Sequence, residues 1–379
     1  MLTSKERILT THVGSLPRPN GLIDLIRQSE EGLLQDRAGF EQEVRRVVLQ
    51  TVRNQVDCGI DVISDGEVGR PGYATYVKDR MTGFGGEHRI PVRLSGEAHD
   101  FPEYTQRRAI HASSILHRPA CNGSVSWRDF DGINTDIANL KSALSQVHAP
   151  EAFLTSASPG VVPLFLGNDY YKTDDDFKVA LASALQNEYE AIANAGFILQ
   201  IDCPDLAMGR HFFEGADREF RGLVARNIEL VNYATRNIAP EQMRLHLCWG
   251  NYEGPHHLDI PLKDILDIVL TARPSGISFE ASNPRHGHEW ALWREVKVPE
   301  DKVLIPGVID STSNFVEHPE LVAQRIVSYT DAVGRERVIA GTDCGFGTNA
   351  ASTLVDRRIA WAKLKSLAEG SALASQQLW

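Results

Sequence analysis

The sequence predicts a (β/α)₈ TIM barrel carrying an inserted β-hairpin after its second strand. Three observations lead there: eight short apolar runs that end in polar residues, helical periodicity between most of them, and no glycine-rich phosphate turn after the first run. The runs are 8–15, 60–67, 152–159, 197–204, 244–251, 276–282, 303–311 and 338–345. Near-continuous apolar strands of this kind belong to parallel sheets buried on both faces. Between them, segments such as 40–56 and 219–238 repeat apolar residues at helical spacing. The competing architecture, a doubly wound sheet, would place GxGxxG after the first strand, and none is present.

A length of 379 residues is compatible with two or three domains, but no repeat, low-complexity tract or Pro/Ser-rich linker divides the chain. One barrel over 1–379 is therefore expected. The stretch 84–130 breaks the rhythm with short β-like runs, RIPVRLSGE at 89–97 and SVSW at 124–127. It reads as an inserted hairpin lying over the barrel mouth.

Composition narrows the partners. With 42% hydrophobic and 23% charged residues the chain can build an ordinary core. A net charge of −11 lacks the basic face that nucleic acid or an anionic membrane requires. No run is long enough to span a bilayer, and the start MLTSKERILTTHVGS lacks the basic flank and apolar block of a signal peptide, so the cytoplasm is expected. Five cysteines without close pairs suggest free, buried or metal-bound thiols rather than a disulfide framework. Small-molecule partners follow, and a homo-oligomer is left open.

The chemistry gathers where the runs end: Ser15, Glu67, Ser158, Asp202, His246, Cys248, Glu280, Asp310 and Cys344. In a barrel these ends converge on one face, where active sites are built. His246 and Cys248 stand two apart on a strand and so point to the same side, Glu280 ends the next strand and Cys344 the last. An HxC pair alone more often means a buried histidine and a small core thiol. With a carboxylate and a second thiolate added, the set suits tetrahedral Zn²⁺, which accepts N, S and O donors. Such a zinc is formally −1 and a poor activator of water. An incoming thiol that displaces the weakest ligand, Glu280, would bind as thiolate and stay nucleophilic near neutral pH.

These residues, with VGS at 13–15, DGE at 65–67, QID at 200–202, HLC at 246–248, SFEAS at 278–282 and DCG at 343–345, resemble the catalytic half of cobalamin-independent methionine synthases over nearly the whole chain. The resemblance implies a (β/α)₈ barrel, zinc on His246, Cys248, Glu280 and Cys344, and recognition of the thiol's amino-acid moiety by Ser15, Glu67 and Asp202. Two carboxylates facing an ammonium group are what a homocysteine-like thiol calls for. It implies a zinc-bound thiolate attacking a methyl or alkyl donor.

The chain departs from that family in three ways. The long N-terminal half of the full-length synthases is absent, as in the single-barrel members. Where the synthases place a proton-donating histidine, two past the aspartate of GVxD, this chain has Thr312, two past Asp310. A hydroxyl is too weak an acid for that work, so a folate amine is expected to be a slow donor unless a nearby histidine supplies the proton. Extra histidines surround the metal strands: His256, His257, His286 and His288. Of these, His256, His257 and His288, with Asp310, are the candidate acid–base residues, although solvated loop histidines would look the same. His12, beside Val13-Gly14-Ser15, is a candidate substrate contact at the mouth. Two alternatives remain: thiol addition or a lyase reaction on a 2-hydroxyalkyl thioether, as in the related epoxyalkane:coenzyme M transferases, and a non-catalytic, zinc-stabilised binding protein.

Overall fold

Strand β1 (Leu9–Thr10) leads into a closed ring of parallel strands in the computed structural model, which describes residues 1–85, 96–111, 117–351 and 354–379. The others are β2 (Val62–Ile63), β3 (Phe84–Gly85), β4 (Ala120–Cys121), β5 (Glu151–Ala157), β6 (Ile198–Asp202), β7 (Met243–Leu247), β8 (Gly276–Phe279), β9 (Val303–Ile309) and β10 (Ile339–Thr342). Eight of them run in the order β1-β10-β9-β8-β7-β6-β5-β2, and a parallel bridge between Thr11 and Val62 joins the two ends. Each of the eight apolar runs supplies one barrel strand.

The helices form where periodicity and capping agree. Arg37–Asp57 starts at Asp36, whose carboxylate accepts from the Gly39 N–H at 2.8 Å, and buries Phe40, Val44, Val47, Val48 and Val52 on one stripe. Asp174–Asn194 is capped by Thr173 in the same manner, its hydroxyl accepting from Asp176 N–H at 3.0 Å. Inside the ring the core is polar as well as apolar. The guanidinium of Arg244 donates to Gln200 Oε1, Thr11 Oγ1 and the His12 carbonyl, and its Cζ lies 3.6 Å from the Phe153 ring centroid. A buried cation satisfied this way fixes neighbouring strands against one another.

The insertion after β2 is mixed. β3 and β4 pair antiparallel at 84–85 and 120–121, outside both expected β-like runs, and SVSW enters a pairing through the bridge between Met81 and Trp127. Between them lie two helices, Gly96–Asp100 and Pro102–His111, which the sequence reading did not anticipate. Both are short, and a helix of this length takes its stability from packing, not from a pattern legible in the chain. Most of RIPVRLSGE lies outside the described residues. No described helix is long and apolar enough to cross a membrane.

Candidate active site at the barrel mouth

Strand register brings the site together. Asp202 on β6 pairs with His246 on β7, and His246 pairs with Ser278 on β8. One level higher, Cys248 and Glu280 end these two strands, with the Trp249 N–H donating to Glu280 Oε1 at 3.1 Å. Cys344 follows β10 on the far side. A cavity of about 470 Å³ opens above, lined among others by Ser15, Glu67, Asp202, His246, Cys248 and Cys344. The inserted helix Gly96–Asp100 contributes Glu97 and Ala98 to its wall.

The ligand atoms of His246, Cys248 and Cys344 lie within 4.8 Å of one another, all three residues buried. Burial and the nearby Arg244 push the His246 imidazole down to about 3, so it is neutral and able to ligate. Its Nδ1 sits 3.3 Å from Ser278 Oγ, whereas Nε2 is buried with no hydrogen-bond partner. A buried ring nitrogen left unpaired costs stability unless something binds it. The Cys248 thiol is held well above its ordinary range by its hydrogen bond with Cys344 and by burial. One imidazole and two sulfurs suit a borderline-soft metal ion, and the orphaned Nε2 agrees with one. Glu280 is buried beside them, but falls outside the 4.8 Å group. Burial and the neighbouring Cys248 hold its carboxyl well above the carboxylate range.

Glu67 and Asp202 share the cavity with no directly bonded cation among the described residues. Glu67 Oε1 accepts from Thr155 Oγ1 at 2.9 Å, and Oε2 is buried without a partner. Asp202 Oδ1 accepts from Gln200 Nε2 at 2.7 Å. Burial raises both carboxyls, and in Asp202 the Glu67 charge adds to it. Glu67 also holds a left-handed backbone, φ 54°, pinned by its N–H on Asp65 Oδ1 and its carbonyl on Arg18. Gly14, at φ 142°, leaves the room this requires: a Cβ there would stand 2.5 Å from Glu67 Oε1.

Several expected site residues are elsewhere. His12 is held below the cavity, with Nε2 at 2.7 Å from Gln55 Oε1 and Nδ1 accepting from the Gly14 N–H at 3.1 Å; burial pushes it down to about 3. Both nitrogens are used in the core, which leaves none for a substrate. Asp310 does not line the cavity either. Its carboxylate accepts from the N–H groups of Thr312 and Ser313 and from Thr312 Oγ1, closing its own loop. His256 is buried behind the wall between Asp259 Oδ2 (2.8 Å) and the Tyr252 carbonyl (3.1 Å). His257 points to Asp100 at 2.9 Å, and His288 is exposed at the start of the turn Glu289–Arg294. None of these four acid–base candidates is a wall residue of the cavity.

Two residues absent from the sequence reading matter more. His211, on the turn Met208–Phe212 after β6, does line the cavity. Asp259 sits behind it and accepts from three imidazoles: His211 on Oδ1 at 2.7 Å, His256 and His286 on Oδ2 at 2.8 Å each. Burial would raise that carboxyl, but the three bonds hold it well below the usual range. Asp343 was likewise missed. It accepts from the N–H groups of Ala281, Ser282 and Asn283 and so ties down the loop that follows Glu280. Neither His211 nor Asp259 ends an apolar run, the one local signal that marked the other site residues.

A buried imidazole–dithiol group that could hold a metal ion and two buried carboxylates stand at the C-terminal ends of the strands of a parallel barrel, the face where enzymes of this fold build their sites. The model of the cobalamin-independent synthase catalytic domain matches residues 154–361, more than half of the chain, and the protein belongs to that family, the cobalamin-independent methionine synthases. It is an enzyme of this methyltransferase class. The chain is 26% identical over 373 residues to a methionine synthase of Saccharolobus islandicus, covering 97% of this chain and 95% of the relative. A methionine synthase of Thermococcus kodakarensis is 26% identical over 370 residues, covering 97% and 94%. The fold matches that of a B12-independent methionine synthase from Shewanella sp. W3-18-1, solved with selenomethionine, at a TM-score of 0.76 and 19% identity over 98% of this chain and 99% of the other.

Proposed function

We propose that this protein is a zinc-dependent thiol methyltransferase acting on homocysteine or a close analogue. The observation that carries the reading is the unpartnered, buried Nε2 of His246 beside the Cys248 and Cys344 thiols, on the floor of a cavity that also holds Glu67 and Asp202. His246, Cys248 and Cys344 would hold Zn²⁺, with Glu280 as the displaceable fourth donor. A zinc ion there would make an incoming thiol a thiolate near neutral pH. Glu67 and Asp202 bind the substrate's ammonium group, whose charge relieves two buried carboxylates at once. Ser15, at the same wall, offers a hydroxyl to the carboxylate of the amino acid. The cavity walls would hold the sulfur and its alkyl donor as an aligned pair.

The family match favours methyl transfer over the epoxide-opening and purely binding alternatives. The test is a thiol panel of homocysteine, coenzyme M, cysteine and glutathione on zinc-loaded protein, followed by metal-edge spectroscopy. Homocysteine should add one Zn–S bond at the lowest concentration. An unchanged metal environment with every thiol would remove the proposal.

A further inference from the structure

The cavity wall carries two imidazoles among the described residues, His246 in the metal group and His211. His211 has no part in the thiol-binding scheme, yet it is anchored as a working group would be. Its Nε2 lies 2.7 Å from Asp259 Oδ1, which leaves Nδ1 as the ring nitrogen not engaged by that carboxylate. Asp259 is in turn fixed by His256 and His286, and His286 by Glu289 at 2.9 Å and by stacking on Trp249. A Glu97 carboxylate oxygen lies within 4.8 Å of a His211 ring nitrogen, and the Tyr252 ring stands edge-on to it. Two carboxylates thus face the ring.

We propose that His211 is the proton donor to the departing group of the alkyl donor, with Asp259 as its positioning residue. This rests on the transferase reading above. The Nε2–H stays on Asp259, and the proton on Nδ1 is the one transferred. As the thiolate sulfur forms its bond to the alkyl carbon, the bond from that carbon to the leaving nitrogen breaks. The electron pair goes to the nitrogen, which takes the Nδ1 proton, leaving a neutral His211 still bonded to Asp259. A metal ion shared by Glu97, His211 and Asp259 fits less well, because both Asp259 oxygens already accept from imidazoles.

The experiment compares two donors with homocysteine on the zinc-loaded protein: 5-methyltetrahydrofolate, whose amine must be protonated to leave, and trimethylsulfonium, whose sulfide leaves without a proton. In H211Q the folate-to-sulfonium rate ratio should fall by roughly 10²–10⁴-fold, the usual worth of general acid catalysis. The KM for homocysteine should hold. Added imidazole should restore part of the folate rate in H211A. Should the variants fail to fold, the unmodified protein still decides: a normal solvent isotope effect is expected with the folate and none with the sulfonium. An unchanged ratio in H211Q, equal isotope effects, or loss of a second metal equivalent in H211Q would overturn the acid role and leave the transferase reading standing. Turnover of the sulfonium alone by the unmodified protein would also overturn it. Turnover of neither donor would overturn the transferase reading and the acid with it.

Discussion

Two polar clusters flank the same cavity and are built on opposite terms. The imidazole–dithiol group of His246, Cys248 and Cys344 is incomplete, with a buried ring nitrogen that has no hydrogen-bond partner among the described residues. The Asp259 cluster closes on itself: one carboxylate, three imidazoles and Glu289 account for nearly all of one another's hydrogen bonds. Buried polar groups normally find partners, so the first cluster is completed only by something bound, and the second serves as a rigid mount. The cavity draws one wall residue, His211, from the satisfied cluster, and the floor from the unsatisfied one.

The largest effect that separates the two should come from the metal. Purified protein is expected to carry about one zinc per chain. Cys248→Ser or Cys344→Ser should remove most of it, since a hydroxyl is no thiolate ligand at neutral pH. Chelation should abolish transfer while far-UV circular dichroism stays that of a folded barrel, because the ligands stand on strands already hydrogen-bonded to their neighbours. Full metal content in both variants would remove the contrast.

Next in size is the paired-carboxylate wall. Asp202→Asn should weaken homocysteine binding by more than a hundredfold, the equivalent of roughly 3–5 kcal/mol for one broken buried charge pair. Thiols without an amino group should lose far less, as calorimetry can measure. Equal losses would give these carboxylates to structure.

The satisfied cluster should show itself in stability. Asp259→Asn leaves three imidazoles without their common anion, and urea unfolding should register a loss of about 3 kcal/mol with bound zinc retained. A variant that sheds zinc and keeps its stability would invert the roles of the two clusters.

The smallest effect is a slope with pH. Burial pulls the His286 imidazole down, but its bonds to Asp259 and Glu289 outweigh this and raise it above its ordinary value. A histidine raised on folding contributes stability that is complete below about pH 6.5, its unfolded value, and is lost as pH climbs through the higher folded one. Urea midpoints of the parent should therefore decline from near pH 6.5 upward, and His286→Gln should flatten that decline. A parent curve as flat as the variant's would show that His286 is not charged in the fold.

The sequence alone determined the barrel, because each parallel strand buried on both faces leaves an uninterrupted apolar run that ends in the residues facing the mouth. For the same reason Glu67, Asp202, His246, Cys248 and Cys344 were legible, each standing where such a run ends. Histidine content was legible too, but not its use. A loop histidine's role depends on which acceptor lies across from it, and that partner comes from a distant part of the chain. Asp100 lies opposite His257, Gln55 holds His12, and Asp259 meets His211 from 48 positions away. Asp310 read as a mouth residue until its own loop folded back onto it. Tertiary structure decided these cases because a hydrogen bond depends on distance and direction, which residue order along a loop does not fix.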